Sequence, residues 1–165
     1  MDAPGTRGSV ISYPASNLRN HLGETRMSIE STQKTLQAYA DVLIKRGAYG
    51  KYFSDDCTFT LMGSDQVFKG PAAVEGFIRF LHEQAFDANP ELVSLICGDG
   101  QASLEAKFIG THTGEFFGVS ATGRHVEVPY SVFYDVKGEK LTALRAYMPV
   151  DVLMGQLKSA QPAAA

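Results

Sequence analysis

Two tyrosines and one histidine are the side chains of this sequence best suited to act on a bound molecule. Tyr39 lies on the apolar face of a predicted helix, where its hydroxyl either polarises a substrate carbonyl, as an oxyanion donor does, or is satisfied within the core. Tyr130 stands in a predicted strand and offers a second hydroxyl. His112 is a group that can exchange a proton near neutral pH. We therefore treat Tyr39, Tyr130 and His112 as candidate catalytic residues for hydrogen-bond donation and acid/base chemistry.

The predicted substrate-binding residues are mostly apolar. Val132 and Tyr134 share the strand face that carries Tyr130, and Met62 and Met148 could line the same cavity. Each of these positions, taken singly, also fits ordinary core packing. Together they predict a pocket that recognises the shape of a hydrophobic molecule rather than its charge. The residues that we expect to bind the substrate are Phe53, Met62, Val132, Tyr134, Ala146 and Met148.

The strand that carries Tyr130 has two chemically different faces. Along residues 125–136 the even-numbered positions are apolar or aromatic, while the odd-numbered positions are mostly polar. Because successive strand side chains point to opposite faces, the even-numbered face is predicted to line the pocket. A turn at 137–139 and a second run at 141–148 complete an antiparallel hairpin. Pro129 cannot donate to a strand ladder, so it predicts a bulge or an edge segment.

The rest of the chain predicts helices followed by long antiparallel strands. Leu36, Tyr39 and Leu43 have helical spacing, and Gly47 stops that helix. Pro71 favours a helix start, because its missing N–H costs nothing there. This order predicts an α+β fold in which the helices cover one face of a curved sheet and leave a hollow for a ligand. The other predicted elements are a short helix at 48–53, strands at 57–62, 66–69, 91–97 and 102–111, and a last helix at 150–157.

Composition excludes several classes of function. The 165 residues are 44% hydrophobic and 20% charged, as in one ordinary globular domain, and the net charge of -3 argues against a nucleic-acid partner. No apolar run reaches the length of a membrane span, and the N-terminus has no apolar signal segment, so we expect no membrane partner and a cytoplasmic protein. Cys57 and Cys97 lack the spacing of a disulfide framework or a zinc site. Both are expected to be reduced and buried, and neither a metal nor a cofactor is predicted.

The two ends of the chain differ from its centre. Residues 1–26 have no hydrophobic periodicity and mix Pro, Gly, Ser and Asn, which predicts a flexible N-terminal arm. Residues 27–158 carry the predicted helices and strands and form the expected domain. The alanine-rich residues 159–165 predict a disordered tail.

A motif rich in glycine and threonine carries a family resemblance. Residues 110–116 read Gly-Thr-His-Thr-Gly-Glu-Phe and are followed by Ala-Thr-Gly-Arg at 121–124 and by the hairpin. This arrangement, together with Phe53–Thr58, resembles the SnoaL-like polyketide cyclases, or ester cyclases, of the nuclear-transport-factor-2-like superfamily. The resemblance implies a cone-shaped, curved antiparallel β-sheet packed on about three helices and enclosing a hydrophobic pocket. It also implies a homodimer formed through the outer face of the sheet, where Phe133, Tyr147 and Ile109 could make apolar contacts.

The resemblance does not carry a complete catalytic mechanism to this chain. The aldol cyclases and the epoxide hydrolases of the superfamily use an Asp on the last strand, and that position falls on Ala146. A pocket His and a pocket Gln of the cyclases fall on Val132 and Tyr130. Tyr39 matches a tyrosine of ketosteroid isomerase that donates to the substrate oxygen, but the Asp base of that enzyme has no counterpart at 60–62. Since acid/base catalysis needs a titratable group at the reacting atom, the missing carboxylates argue against a direct copy of these mechanisms.

Three functions remain open at this level. The first is a cyclase or isomerase of secondary metabolism that holds a polyketide- or terpenoid-like substrate in a reactive conformer between tyrosine donors. The second is a non-catalytic binding protein or an accessory subunit of a biosynthetic enzyme. The third is an epoxide hydrolase or an acid/base isomerase with a relocated pair such as Glu105 or His112, although the resemblance implies a structural hydrogen bond for His112. Glu105 shares a strand face with Lys107, and the pattern does not decide whether that face lines the pocket.

Overall fold

The computed structural model describes residues 28–159, which contain three α-helices and six β-strands. The predicted arm at 1–26 lies outside the described residues, as does the predicted tail at 159–165 apart from its first residue. The helices are α1 (Ile29–Ile44), α2 (Pro71–Arg79) and α3 (Val150–Lys158), with a 3-10 turn at Gly50–Tyr52 and a π-helical turn at Phe80–Ala85. The strands are β1 (Phe53–Leu61), β2 (Val67–Lys69), β3 (Phe86–Cys97), β4 (Gln101–His112), β5 (His125–Lys137) and β6 (Lys140–Tyr147).

The described strands form one mixed sheet in the order β2-β1-β6-β5-β4-β3. Neighbouring strands are antiparallel except β1 and β6, which are parallel. Parallel neighbours need a long connection, and here most of the domain separates β1 from β6 in the sequence. The predicted α+β fold, a sheet packed on three helices, is confirmed, with one parallel pair in a sheet that was expected to be antiparallel throughout.

Helix α1 is fixed at its start by a capping box. The Ser28 hydroxyl accepts the Ser31 N–H at 3.0 Å, and the Ser31 hydroxyl accepts the Ser28 N–H at 3.0 Å. One turn later, the buried Thr32 hydroxyl accepts the Gly100 N–H at 3.0 Å. This bond ties α1 to the turn between β3 and β4, so the helix lies along the face of the sheet that bears the apolar side chains.

Helix α2 begins at Pro71, as predicted, and is anchored to the segment after α1 by Arg79. The Arg79 guanidinium donates to the Gly47 carbonyl at 2.6 Å, to Glu75 at 2.7 Å and to Glu83 at 2.8 Å. It also lies 4.8 Å from the centre of the Tyr49 ring. These contacts hold the end of α2, and the π-helical turn that follows it, over the sheet.

The alternation predicted for β5 is confirmed. Its even-numbered residues face the helices and are buried or half-buried, while its odd-numbered residues lie on the opposite face. We call these the inner and outer faces of the sheet. Pro129 lies beyond the end of β6, because the pairing of β5 with β6 begins at Ser131 and Tyr147. The proline therefore leaves no ladder bond to β6 unmade, which agrees with the predicted edge segment.

The described buried apolar residues form two cores on the inner face. The first core packs α1 and α2 on β1, β6 and the second half of β5, and includes Leu36 and Leu144. The second core packs the π-helical turn and α3 on β3, β4 and the first half of β5, and includes Phe86 and Leu153. Cys57 is free and buried as expected, whereas Cys97 is free but only half-buried. Between residues 28 and 159, no helix combines the length and the apolar character needed to cross a membrane.

Candidate functional site

A transverse row of side chains separates the two cores. Leu92 on β3 pairs with Ala106 on β4, and Ala106 pairs with Tyr130 on β5. Met148 continues this row, because it directly follows Tyr147, the partner of Ser131. Directly paired residues share one face of a sheet, so all four side chains lie on the inner face. We call Leu92, Ala106, Tyr130 and Met148 the boundary row.

The boundary row is only partly covered, since Ala106 is fully buried while the other three side chains are exposed or half-buried. Leu92 is 56% exposed although it points to the same side as the buried Ala106. Tyr130 and Met148 are half-buried and pack against both cores, as does Phe77 from α2. An apolar surface that two cores border without covering is where a hydrophobic ligand can be held.

Tyr39 lies beside this row in a cluster of aromatic rings. It is 4% exposed, and its ring centre lies 6.1 Å from that of Tyr49, 6.3 Å from that of Tyr52 and 6.3 Å from that of Tyr134, each edge to face. Within residues 28–159 its hydroxyl has no hydrogen-bond partner. Burial, together with the nearby hydroxyls of Tyr134, Tyr49 and Tyr130, raises the pKa of Tyr39 well above its ordinary value. Tyr39 therefore keeps its proton and can donate a hydrogen bond but cannot act as a base.

Tyr130 and Tyr134 project from the same strand at different depths. Tyr134 is buried in the first core, while Tyr130 is half-buried in the boundary row. Burial raises the pKa of both hydroxyls, and the proximity of Tyr130 raises the pKa of Tyr134 further. In the described part of the chain neither hydroxyl has a hydrogen-bond partner. Tyr130 is thus a protonated donor on the accessible part of the inner face.

His112 lies at the end of β4, in contact with the second core. Its Nδ1 accepts the Thr122 N–H at 3.2 Å and lies 2.9 Å from the Thr122 hydroxyl, and its ring centre lies 5.0 Å from that of Phe86. The side chain is fully buried, and burial lowers the pKa of His112 against a smaller opposing effect of the Gly114 backbone. Its Nε2 has no hydrogen-bond partner among the described groups. This geometry favours the structural role, in which His112 fastens the loop between β4 and β5.

The predicted substrate-binding residues fall into two groups. Phe53, Val132, Tyr134 and Ala146 are buried in the first core, where Phe53 lies 5.6 Å from Tyr39 between ring centres. Val132 and Ala146 are paired across β5 and β6, one step from the boundary row. Met62 and Met148 are half-buried, and the Met62 N–H donates to the Ala146 carbonyl at 2.8 Å. The structure thus brings five of these residues to one side of the boundary row, and the sixth, Met148, belongs to the row itself.

The carboxylates of the described strands do not reach the inner face. Glu105 is exposed on the outer face, where it lines an open groove of about 430 Å³ with Phe133 and Tyr147. Lys107 pairs with Glu127 at 2.9 Å and not with Glu105. Glu105 therefore cannot act as an acid or base toward a ligand on the inner face. The hypothesis that Glu105 belongs to a relocated catalytic pair is wrong. The other strand carboxylates, Asp55, Asp56, Asp87, Glu91, Glu127 and Asp135, are exposed or, for Asp135, bound to Arg145 on the outer face.

The sequence did not predict three of the side chains that lie in this region. Leu92 and Ala106 form the boundary row with Tyr130, and His82 packs from the π-helical turn on Phe108, two residues from Ala106 on β4. The pattern contained a signal for His82, because it follows Ile78 by four residues on the predicted helix. Across residues 28–159, no three His, Cys, Asp or Glu side chains come together as metal ligands.

Solved structures share this fold at low sequence identity. A candidate SnoaL-like polyketide cyclase from a Jannaschia species aligns with a TM-score of 0.73 at 16% identity, covering 84% of this chain and 100% of that one. A candidate polyketide cyclase from Xanthomonas campestris aligns at 0.70 and 18%, covering 78% and 98%. AclR, a candidate hydroxylase from Streptomyces galilaeus, aligns at 0.68 and 18%, covering 81% and 100%. At these identities the likeness shows the fold alone.

Sequence comparison places the chain in a family. No curated protein matches its sequence closely enough to count as a relative. The model of the SnoaL-like polyketide cyclases, in contrast, matches residues 33–157, which include most of α1, all six described strands and most of α3. Because this match spans well over half of the sequence, the chain belongs to the SnoaL-like polyketide cyclase family.

Proposed function

We propose that this protein is a cyclase or isomerase of secondary metabolism that binds a hydrophobic, polyketide- or terpenoid-like molecule on the boundary row. The observation that carries the proposal is the position of Tyr130. Its hydroxyl is a protonated donor without a partner in the described structure, and it stands on apolar surface that the two cores leave open. A flat apolar ligand with a carbonyl oxygen fits such a surface, since it covers Leu92 and Met148 and accepts a bond from Tyr130.

The proposed catalysis depends on positioning and hydrogen bonding. Holding a flexible substrate in one reactive conformer lowers the entropy lost on reaching the transition state. Tyr39 and Tyr130 are the proposed donors to a substrate oxygen, because the pKa of each hydroxyl is raised and both stay protonated. A donor in a water-poor site stabilises the negative charge that develops on a carbonyl oxygen during enolisation.

The protein is proposed to act as a cytoplasmic homodimer. Two aromatic side chains on the outer face, Phe133 and Tyr147, are 44% and 47% exposed and lie 5.8 Å apart between ring centres. Ile96 is also exposed on this face, and the half-buried Ile109 lies on the same side of β4. A second copy that covers these residues would remove apolar surface from water.

A second candidate function is a binding protein or an accessory subunit without catalysis of its own. It is favoured by the positions of the strand carboxylates, which are exposed or, for Asp135, half-buried, and none of which reaches the inner face in residues 28–159. Native mass spectrometry of the freshly purified full chain separates the two candidates. A co-purified ligand that the protein converts in solution supports the enzyme, and a ligand that is recovered unchanged after prolonged incubation supports the binding protein.

The proposed site is tested with 2-naphthol, a flat apolar molecule with one hydroxyl. Fluorescence titration should show saturable binding to the wild-type protein. Tyr130→Phe and Tyr39→Phe should each weaken it roughly two- to tenfold, the range expected for one hydrogen bond. Tyr147→Phe is the matched control, since it removes a hydroxyl from the outer face and should leave the affinity unchanged. Equal affinity in all four proteins would contradict the assignment of Tyr39 and Tyr130 as donors.

A further inference from the structure

His82 lies next to the boundary row. It belongs to the π-helical turn Phe80–Ala85, and its ring packs edge to face on Phe108 with 5.3 Å between ring centres. Phe108 lies on the inner face next to the boundary row, because it follows Ala106 by two residues on β4 and residues two apart on a strand share one face. π-helical turns occur frequently at functional sites, where the wider turn redirects side chains. Here the turn places a half-buried imidazole against Phe108.

The hydrogen bond of His82 defines which ring nitrogen carries the proton. Nδ1 lies 3.3 Å from the Ala88 carbonyl oxygen. A carbonyl oxygen can only accept, so Nδ1 is the donor and the lone pair of the neutral ring is on Nε2. Between residues 28 and 159, Nε2 has no hydrogen-bond partner. The ring is therefore oriented by the backbone through one nitrogen and offers the other as an acceptor.

The surroundings of His82 favour its neutral form. Burial lowers the pKa of His82, and Arg46 at the end of α1 lowers it further, while the bond to Ala88 and the nearby Glu83 act in the opposite direction. Both charged neighbours are engaged elsewhere, Arg46 with Asp87 and Glu83 with Arg79. At neutral pH the imidazole is thus in the form that can accept a proton.

We propose that His82 is a catalytic base of this site, and that its Nε2 takes a proton from a substrate carbon next to a carbonyl group. The inference rests on the proposed function and narrows its substrates to ketones with an acidic α-hydrogen. The C–H bond breaks and its electrons form an enolate, whose oxygen accepts a hydrogen bond from a tyrosine hydroxyl. In the isomerisation of a ketone with a neighbouring C=C bond, the enolate is a conjugated dienolate, and the proton returns from Nε2 to its γ-carbon while the C=C bond moves next to the carbonyl group. In a cyclisation the enolate carbon attacks a second carbonyl, and the resulting alkoxide takes the proton from Nε2.

A carbon-acid probe tests the base without knowledge of the natural substrate. In 5-nitrobenzisoxazole, removal of the ring C–H proton breaks the N–O bond and releases a coloured cyanophenolate. The full-length wild-type protein should accelerate this release above the buffer rate, with kcat/KM increasing with pH through a midpoint below about 6.5, the ordinary histidine value. His82→Gln should lower the rate at least about tenfold, since positioned bases contribute about 100-fold or more. His125→Gln, which changes an exposed histidine at the start of β5, should leave the rate unchanged.

Two further measurements separate catalysis from a structural role. Added imidazole should restore part of the probe rate of His82→Ala, because a free imidazole can replace the missing base but cannot repair a misfolded protein. Far-UV circular dichroism checks the fold of both variants. Equal probe rates for the wild type and His82→Gln would overturn the inference, whatever the outcome for 2-naphthol. If the variants unfold, the wild-type profile decides, because a rate that stays constant down to the lowest pH at which the protein remains folded excludes a histidine base. If 2-naphthol does not bind but the rate of the benzisoxazole reaction still depends on His82, the proposed binding site is wrong and the assignment of His82 as a base stands.

Discussion

The three tyrosine hydroxyls near the inner face differ in accessibility, and this decides what each can do for a ligand. Tyr39 and Tyr134 are buried in the first core, so a ligand reaches their hydroxyls only by entering between the rings. Tyr130 is half-buried and borders both cores. Because burial keeps all three protonated, their shared chemistry is donation, and Tyr130 is the donor that a ligand on the boundary row meets first.

At the residue scale, the backbone at Phe117 is strained. Phe117 and Gly118 form a two-residue hairpin turn with φ values of 47° and 75°, closed by reciprocal bonds of 3.0 Å between Phe116 and Val119. Such a turn favours Asn before Gly, whereas most side chains lose about 1 kcal/mol or more in the left-handed region. We expect Phe117→Asn to be more stable than Phe117→Ala by about 1 kcal/mol, because both lose the ring and only Asn tolerates the backbone. Urea unfolding followed by circular dichroism measures the difference, and equal midpoints would show that the strain has no energetic weight.

At the element scale, β3 and β4 approach each other closely at one glycine. A Cβ added at Gly110 would lie 2.4 Å from the Ala88 Cβ and 2.4 Å from the Asp87 carbonyl oxygen. Gly110→Ala should therefore lower the free energy of unfolding by about 1–3 kcal/mol, as overpacking does. Gly76→Ala in α2 is the matched control, since a Cβ there meets nothing within 4 Å and should stabilise the helix by about 0.5–1 kcal/mol. Loss of stability in both variants, or in neither, would contradict the close approach.

The boundary row depends on the register of three strands and on one irregularity. The pairing of β3 with β4 shifts between Leu92 and Ser94, so the inner face passes from even-numbered to odd-numbered residues of β3. A strict alternation of inward and outward side chains through residues 91–97 cannot describe such a strand. Leu92 was consequently not recognised as an inner-face residue, although its partner Ala106 and the next partner Tyr130 lie on regular strands.

At the scale of the whole molecule, two histidines make stability depend on pH. Burial lowers the pKa of both His82 and His112. Below about pH 6.5 the unfolded histidines bind protons while the folded ones remain neutral, so the free energy of unfolding should decrease as the pH falls through this window. Asp135, whose pKa is lowered by its bond to Arg145, contributes a loss in the same direction only at more acidic pH.

The variants His82→Gln and His125→Gln test this dependence by urea unfolding at a series of pH values. His82→Gln should flatten the decrease between neutral pH and the acid range, because one of the two histidines with a lowered pKa no longer titrates. His125→Gln changes an exposed histidine and should preserve the slope. A His82→Gln slope identical to that of the wild type would show that His82 does not contribute.

Assembly is also a property of the whole molecule. Light scattering of the wild-type protein at micromolar concentration should give twice the mass of one chain. Phe133→Glu should shift the mass toward that of the monomer, because a charge would be placed in the covered apolar surface. Val152→Glu changes an exposed apolar residue on α3 and should leave the dimer intact. A wild-type mass equal to one chain would exclude the proposed dimer under these conditions.

The sequence by itself determined the features that depend on neighbours along the chain. The alternation in β5, the helix start at Pro71 and the helical spacing of Leu36 and Tyr39 follow from side-chain periodicity and local backbone preference, and all are found in the structure. The Gly-Thr-His-Thr-Gly motif, together with residues 121–124, the hairpin and Phe53–Thr58, indicated the family, which the match over residues 33–157 confirms. The same local patterns identified Tyr130 as the inward-facing candidate of β5.

Only the tertiary structure decided how these elements meet. The parallel pairing of β1 with β6, the outward position of Glu105 and the division of the inner face into two cores result from contacts between residues far apart in the sequence. His82 becomes a candidate base because the π-helical turn sets its ring beside Phe108 on a distant strand. Periodicity reports which side of its own element a residue faces, whereas register, a bulge and helix docking determine what lies opposite it.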